Sequence, residues 1–237
     1  AETNTAQYVD LIHQISRQKL PHTNVSVKLT ALGLQLDKDA CLANLRKLMD
    51  AIRETDNFLR IDMEDSPCTD DTLELYRILR DEYPGMVGVV LQSRLRRSMA
   101  DVDALVHPMA NYRLCKGIYL EPEEIAYTEA DPIRTSFTAI LDRMFETGAY
   151  VGIATHDEQL VDEALALIEK HGLDKDRYEF QMLLGVTEGL RQRILDAGHR
   201  LRVYVPYGVQ WYPYSVRRLR ENPEIAGYAF KALFNRK

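Results

Sequence analysis

The sequence alternates between short β-rich runs and longer amphipathic stretches, and this alternation restricts the possible folds more than any other feature. Apolar residues recur at helical spacing within residues 41–52, 73–83 and 160–168, and another helical pattern covers Asn4–Gln18. The seven β-rich runs are Val25–Thr30, Phe58–Glu64, Gly88–Ser93, Tyr112–Ile118, Tyr150–Thr155, Tyr178–Leu183 and Leu201–Pro206. Strands that alternate with helices predict an α/β fold with a parallel sheet.

Single residues mark the ends of several predicted helices. Gly148, Gly172 and Gly198 each follow a helical stretch and precede a β-rich run, where a left-handed C′ residue belongs. Asp157 stands at the N-cap position of the helix predicted after the fifth run. No composition break, repeat or flexible linker interrupts the pattern, so we expect one domain over residues 1–237.

The number of strands leaves two architectures open. A closed barrel of alternating strands and helices has eight strands, one more than the seven that the sequence shows. Either the sheet is open, or the first strand lies upstream of Ala1. We favour the second, because the helix predicted over Asn4–Gln18 has no strand before it.

Charge and cysteine content exclude several classes of function. The formal net charge is −6, and no basic stripe typical of nucleic-acid-binding proteins is present. Cys41, Cys68 and Cys115 lack metal-ligand spacing, as do all His/Cys/Asp groupings, so we expect no metal. The odd cysteine count favours a reducing cytoplasm. No apolar run reaches the ~18 residues that cross a bilayer, so we expect membrane contact, if any, to be peripheral.

Polar side chains interrupt the apolar runs where the predicted strands end. In a parallel barrel these ends face one mouth, where binding and catalytic groups converge. A single such residue indicates little, since a buried polar side chain can be paired within the barrel, but a repeated pattern predicts a shared active site. The residues are Lys28, Asp62, Gln92, Lys116, Thr155 with His156, and Tyr204.

A basic motif follows the last strand. If Pro213 opens a helix, Arg217, Arg218 and Glu221 lie on adjacent faces of it, and Arg218 can pair with Glu221. A solvated basic face is the simpler interpretation of two adjacent arginines. Here an aromatic stretch, Tyr204–Tyr214, precedes them, and two guanidinium groups beside an apolar wall suit a small carboxylic acid.

The segment Arg113–Tyr119 carries two cations that a regular strand would separate. Arg113 and Lys116 are three residues apart, so they point to opposite faces of a strand. Gly117 offers a bend that can turn Lys116 and Tyr119 toward the barrel mouth.

At these residues the chain resembles the proline dehydrogenase family, including the dehydrogenase barrel of the bifunctional proline-oxidising enzymes. Each motif is weak by itself, but eight of them in the family's order are a specific signal. They are SVKLTAL at Ser26–Leu32, IDMED at Ile61–Asp65, VLQ at Val90–Gln92, RLCKGIY at Arg113–Tyr119, IATHD at Ile153–Asp157, EFQMLLG at Glu179–Gly185, YVPYG at Tyr204–Gly208 and RRLREN at Arg217–Asn222.

The resemblance implies a fold and an activity. The fold would be a distorted (βα)8 TIM-type barrel that holds FAD, with a final helix over the barrel mouth and a first strand upstream of Ala1. The activity would be oxidation of L-proline to Δ1-pyrroline-5-carboxylate by hydride transfer to FAD, the first step of proline catabolism. Electrons would pass to a quinone-type acceptor. A pyrroline-5-carboxylate dehydrogenase would be a channelling partner, and the protein would be cytoplasmic or peripheral to the inner face of the membrane.

The resemblance also implies roles for individual residues. Arg217, Arg218 and Lys28 would bind the proline carboxylate, while Glu221 and Asp62 would support this charged cluster. The remaining residues fall into three groups. Tyr119, Leu183 and Tyr204 would wall the proline ring; Arg113 and Gln92 would contact the isoalloxazine; Lys116, Thr155 and His156 would hold the ribityl and pyrophosphate part of FAD, with Gly117 forming the bend beside them. The catalytic set would be Lys28, Asp62, Tyr204, Arg217, Arg218 and Glu221.

Some positions depart from the family and some alternatives stay open. Ser93 and Arg94 follow Gln92 where the family usually has Ala-Tyr, so neither is assigned a role, and Ile118 stands where Ala is common. Lys28 and Lys116 are also compatible with a Schiff-base aldolase, which places a lysine on a barrel strand. A binding barrel without catalysis is a further alternative. Taken alone, His156 is more typical of a core histidine than of a ligand.

Overall fold

The computed structural model describes residues 1–20 and 22–208. Contacts divide the chain into two compact units, Ala1–Tyr150 and a second unit that begins at Val151. The helices are α1 (Glu2–Arg17), α2 (Lys38–Glu54), α3 (Thr69–Glu82), α4 (Ser98–Ala104), α5 (Ala130–Glu146), α6 (Glu158–Lys170) and α7 (Glu188–Asp196). The strands are β1 (Val25–Val27), β2 (Leu59–Ile61), β3 (Val87–Gln92), β4 (Asn111–Cys115), β5 (Tyr150–Ala154), β6 (Tyr178–Leu183) and β7 (Leu201–Tyr204).

The first unit contains four parallel strands in chain order, β1 to β4. Val27 lies opposite Ile61, and Ile61 lies opposite Val89, so the strand ends form one edge. Every residue of β2 and β3 is buried, and α2 and α3 contribute apolar stripes to the same core. Burial on both faces explains why these strands are nearly continuous apolar runs, as parallel sheets require.

The second unit repeats this arrangement with β5, β6 and β7, which are parallel and also in chain order. Its core contains a polar layer. Glu179 accepts bonds from Arg202 Nε at 2.6 Å and Nη2 at 2.9 Å, and from Gln181 Nε2 at 2.6 Å. Gly152 lies opposite Glu179, and a Cβ there would be 2.4 Å from Gln181 Nε2, so this layer requires a glycine.

All seven strands predicted from the sequence are present, and the α/β class is confirmed. The first, second and fourth strands each stop three residues before the expected end; the first was expected over Val25–Thr30 and stops at Val27. Leu29–Leu32 instead forms a short 3-10 helix that ends at Gly33, whose φ is +102°. The physical reason lies elsewhere in the chain, because the Glu64 carboxylate accepts bonds from the main-chain amide and the hydroxyl of Thr30.

The predicted helix ends are confirmed. The Asp157 side chain accepts a hydrogen bond from the amide of Gln159 at the start of α6. Gly148, Gly172 and Gly198 have φ values of +74°, +59° and +75° and follow α5, α6 and α7.

An arginine is buried within the sheet of the first unit. Arg60 on β2 is 2% exposed and donates from Nη1 to the carbonyl oxygens of Val89 at 3.2 Å and Asn111 at 2.8 Å. Its guanidinium lies over the ring of Phe58, 5.0 Å from the centroid. Gly88 is the register partner of Arg60, and a Cβ there would lie 2.4 Å from Arg60 Nη1. The guanidinium therefore occupies the space that the missing side chain leaves.

We predict that Gly88→Ala destabilises the protein by about 1–3 kcal/mol, because the new methyl group overpacks a rigid site. A Cβ at position 88 would also approach Asn111 O at 2.5 Å, and this backbone atom cannot swing away. Gly189→Ala is the matched control, since Gly189 lies within α7 and a Cβ there meets nothing within 4 Å. Denaturant unfolding should show a lower midpoint for Gly88→Ala and an unchanged or higher one for Gly189→Ala. Equal midpoints for the two variants would contradict the prediction.

Candidate active site at the carboxyl ends of the strands

The polar residues picked out by the sequence lie at the strand ends, as predicted. In the first unit, Lys28 and Asp62 come one residue after β1 and β2, Gln92 is the last residue of β3, and Lys116 comes one residue after β4. In the second unit, Thr155 and His156 follow β5, while Leu183 and Tyr204 are the last residues of β6 and β7 and lie opposite each other. Arg217, Arg218 and Glu221 lie outside the described residues.

The centre of the first unit's site is a carboxylate between two cations. Asp62 Oδ1 accepts a bond from Arg113 Nη1 at 2.7 Å, and Asp62 Oδ2 is 3.5 Å from Lys28 Nζ. Arg113 Nη2 also donates to Ser26 Oγ at 3.0 Å. Asp62 is 7% exposed and Arg113 is 8% exposed, so this attraction is only weakly screened by water. The three charged side chains together carry one positive charge.

The charges of this cluster affect the pKa of Tyr8 on α1. The pKa of its hydroxyl is raised above the usual value, first by burial and then by the negative charge of Asp62, while the positive charge of Lys28 acts in the opposite direction. Helix α1 is attached to the turn after β1, since Asn4 Nδ2 donates to Ala31 O at 2.9 Å. Tyr8 therefore keeps its proton at neutral pH beside the charged cluster.

Glu64 joins the turns that follow β1 and β2. Its two carboxylate oxygens accept from the amide of Thr30 at 3.0 Å and from the hydroxyl of Thr30 at 2.6 Å. Its main-chain oxygen accepts from Gln92 Nε2 at 2.9 Å. One residue thus fixes the turn after Lys28 and the amide group of Gln92 together.

Gln92 retains an unused acceptor. Its Oε1 atom is buried and has no hydrogen-bond partner among residues 1–20 and 22–208, which is costly for a polar atom. Gly117 lies against it, because a Cβ at that position would be 2.5 Å from Gln92 Oε1. The φ of Gly117 is +94°, which confirms the predicted bend after Lys116. This left-handed turn lets β4 end beside Gln92 without a side chain in between.

The two polar residues after β5 already accept hydrogen bonds from main-chain amides of the same unit. Thr155 Oγ1 accepts from the amide of Asp157 at 3.1 Å, and His156 Nε2 accepts from the amide of Leu183 at 2.9 Å. The latter bond requires an unprotonated Nε2, so the neutral imidazole carries its proton on Nδ1. Any bond from His156 to a cofactor is therefore made through Nδ1.

Some residues of the site were missed by the sequence reasoning. Ser26 and Glu64 lie within two of the family motifs but were given no role, and Tyr8 lies in none of them. Arg94 and Glu121, which hold the segment that follows β4, were also not assigned. Their contacts join parts of the chain distant in sequence, which no local pattern reveals.

Two absences apply only to the part of the chain that the structure describes. Within it, no group of three or more His, Cys, Asp or Glu side chains is arranged to hold a metal ion. Within the same residues, no helix is both long and apolar enough to span a membrane.

The family model and the related sequences that match this chain all belong to one family. The model of the family described as Proline dehydrogenase matches residues 1–229. Proline dehydrogenase 2 of Bacillus subtilis is 35% identical over 233 residues, which cover 98% of this chain and 76% of that protein. Proline dehydrogenase of Deinococcus radiodurans is 37% identical over 213 residues, covering 88% of this chain and 69% of that protein.

Comparison with solved structures confirms the TIM-like α/β fold class. Proline utilization A (PutA) from Bdellovibrio bacteriovorus, in a crystal structure of the protein inactivated by N-propargylglycine, superposes with a TM-score of 0.82 at 25% identity. The match covers 92% of this chain and 28% of that chain, so this chain spans less than a third of the PutA chain that it matches. PutA from Bradyrhizobium japonicum, at 22% identity and a TM-score of 0.76, shows the same fold.

We predict that Asp62→Asn destabilises the protein by about 3 kcal/mol, because it removes the carboxylate from a buried cluster and leaves Lys28 and Arg113 in mutual repulsion. Asp81→Asn is the matched control, since Asp81 pairs with Arg80 at 3.0 Å but is 62% exposed. Exposed pairs contribute little, so this variant should unfold like the wild type. Denaturant midpoints measured at pH 7 test both expectations. A wild-type midpoint for Asp62→Asn would show that the cluster does not depend on its carboxylate.

Proposed function

Because the chain belongs to the proline dehydrogenase family, oxidoreductases that act on a CH–NH group in the first step of proline catabolism, we propose that it oxidises L-proline to Δ1-pyrroline-5-carboxylate with FAD as hydride acceptor. The observation that carries the proposal is the cluster in which Lys28 and Asp62, directly after β1 and β2, meet Arg113 within β4. Catalytic groups of barrel enzymes stand at these ends.

The charge of the cluster suits an amino acid carboxylate. Lys28 and Arg113 place two cations in a poorly screened environment, and cations so placed suit the carboxylate of an amino acid such as L-proline. Lys28 is the half-buried member and the one through which this chain would bind the substrate. Asp62 holds Lys28 and Arg113 in place before the substrate arrives, so less ordering is needed on binding. Arg217 and Arg218 would complete the carboxylate site, braced by Glu221.

The described residues fit a flavin. The oxidised isoalloxazine ring has one N–H donor among its acceptors, and Gln92 offers a buried acceptor, Oε1, that no described residue satisfies. Gly117 has no side chain, so no Cβ crowds this oxygen. Arg113 adds a fixed positive charge, which favours a reduced, electron-rich ring. Lys116, Thr155 and His156 would hold the ribityl and pyrophosphate portion.

Once bound, the flavin supplies the hydride acceptor, and the protein supplies position and exclusion of water. A carboxylate held by several cations orients a rigid five-membered ring, so that its C–H bond next to nitrogen can stand at reacting distance. Tyr119, Leu183 and Tyr204 would wall the ring, and of these the described structure has Leu183 and Tyr204 opposite each other at the ends of β6 and β7.

The downstream acceptor and the cellular setting also belong to the proposal. Electrons would pass to a quinone-type acceptor, which requires a cytoplasmic protein that can approach the inner face of the membrane. The product would pass to a pyrroline-5-carboxylate dehydrogenase. Bifunctional PutA proteins, whose dehydrogenase region this chain resembles in fold, support that last step.

At Lys28, one of the two lysines considered for it, the Schiff-base aldolase alternative is disfavoured by the same cluster. A Schiff-base lysine must attack as a neutral amine, whereas Asp62 lies 3.5 Å from Lys28 Nζ and stabilises the charged ammonium form. A binding barrel without catalysis would give the purified protein no proline-dependent redox change.

The proposal predicts that L-proline bleaches the flavin absorbance of the protein in the absence of oxygen. The control is L-lactate, which has a carboxylate and an oxidisable carbon but no ring nitrogen, and which should leave the spectrum unchanged. A yellow protein that L-proline fails to bleach would contradict the proposed function. A protein that binds no flavin at all would contradict the cofactor as well.

A second prediction concerns Gln92. Gln92→Met keeps the length of the side chain but removes the acceptor, together with the Nε2 donor to Glu64 O, so we expect FAD to bind at least about tenfold more weakly, the usual effect of one lost buried hydrogen bond. Gln35→Met is a matched control, because Gln35 bonds Cys68 Sγ at 3.6 Å and takes no part in the proposed flavin site. Retention of FAD after gel filtration measures the effect. Equal retention by both variants would remove Gln92 from the flavin site.

A further inference from the structure

The segment that carries Tyr119 is a loop closed at its two ends by one residue of the neighbouring strand connection. We call residues 116–126, between β4 and α5, the Tyr119 loop. The amide of Arg94 donates to Lys116 O at 2.9 Å at the start of this loop, and the amide of Tyr127 donates to Arg94 O at 2.7 Å just after its end. The main chain of Arg94 thus fixes both ends, whatever its side chain does.

The tip of the loop is held by two side chains instead. Arg94 Nη1 donates to the carbonyl oxygen of Tyr119, and the stem of Arg94 lies against Gly117, where a Cβ would be 3.0 Å from its Cγ and Cδ atoms. On the other side, the Glu121 carboxylate accepts from the amide and the hydroxyl of Ser66, each at 2.7 Å. Ser66 lies in the turn after β2, so the tip is bonded in two directions.

The guanidinium group of Arg94 makes few other polar contacts with the described residues. Among the described residues it forms no ion pair, its only side-chain hydrogen bond goes to Tyr119 O, and its buried Nε has no partner. A charged donor to a carbonyl oxygen is stronger than a neutral one. The guanidinium is therefore dedicated to the position of Tyr119.

We propose that Arg94 and Glu121 are positioning residues that set where Tyr119 stands and thereby determine which ring size the substrate pocket accepts. The proposal rests on the proposed function, in which Tyr119 walls the proline ring. A wall fixed from two sides rejects a ring with one more methylene group, and a single methylene is commonly discriminated by about 10- to 200-fold. A wall held from one side yields, and the discrimination falls.

The experiment compares two variants with two matched controls. Arg94→Met keeps the stem against Gly117 and removes the guanidinium, and Glu121→Gln keeps the shape and weakens the bonds to Ser66. The controls act on the same loop away from its tip. They are Arg96→Met, where the wild-type guanidinium bonds Glu123 O at 3.1 Å and lies over Tyr127, and Glu123→Gln, an exposed side chain.

We expect the ratio of kcat/KM for L-proline to that for six-membered L-pipecolate to fall about tenfold in Arg94→Met and in Glu121→Gln. KM for L-proline should rise while kcat changes by less than about threefold, since the groups that bind the carboxylate stay in place. The double variant should lose no more than the larger single effect, because both residues act through one tip. The controls should keep the wild-type ratio.

A second readout does not depend on activity. Amide hydrogen exchange of the flavin-free protein should rise at residues 117–121 in both variants and stay unchanged at residues 93–96. If exchange at the tip is unchanged in both variants, or if the controls alter the substrate ratio equally, the proposal is overturned. Failure of the wild type to oxidise L-proline would instead overturn the proposed function, and with it the link to ring size, while exchange still tests the two contacts.

Discussion

The site depends on one buried interaction, the carboxylate of Asp62 between Lys28 and Arg113. Taking a charge out of water is costly, and a buried charge persists only when partners compensate it. Here Lys28 and Asp62 follow β1 and β2 directly and Arg113 lies within β4, so the cluster can form only when the ends of β1 and β2 are level with Arg113. The parallel register supplies that level, because Val27 faces Ile61 and Val90 faces Arg113. The register of the strands therefore determines whether these charges can compensate one another.

Periodicity predicts what is local. It identified the seven strands, the N-cap Asp157 and the left-handed glycines, since each depends on residues within a turn or a strand. It also located the polar residues at the strand ends, because burial makes an acid or a base conspicuous in an apolar run. The resemblance to a family supplied the substrate, the cofactor and the residue roles, which physical reasoning about spacing alone leaves open.

What the sequence could not predict depends on distant partners. The first strand was expected to continue to Thr30. Instead it stops at Val27, because Glu64, 34 residues away from Thr30, accepts a bond from the Thr30 amide and holds a turn there. Arg60 resembles an ordinary strand residue until Gly88 and Asn111 are brought beside it. Arg94 was left without a role because it departs from the family's usual residues, yet its side chain contacts Tyr119 and Gly117. In each case the partner is known only once the chain is folded.

Glu64 bonds two positions that lie far apart in the sequence, Thr30 and Gln92. Its carboxylate receives both donors of Thr30, and its carbonyl oxygen receives Gln92 Nε2, so a shift of one turn displaces the other. A change at Thr30 that removed the hydroxyl would leave a buried acid with one acceptor less satisfied, and relaxation of that acid would move the amide of Gln92. We therefore expect the hydroxyl at position 30 and the acid at position 64 to change together in homologues, or both to be retained.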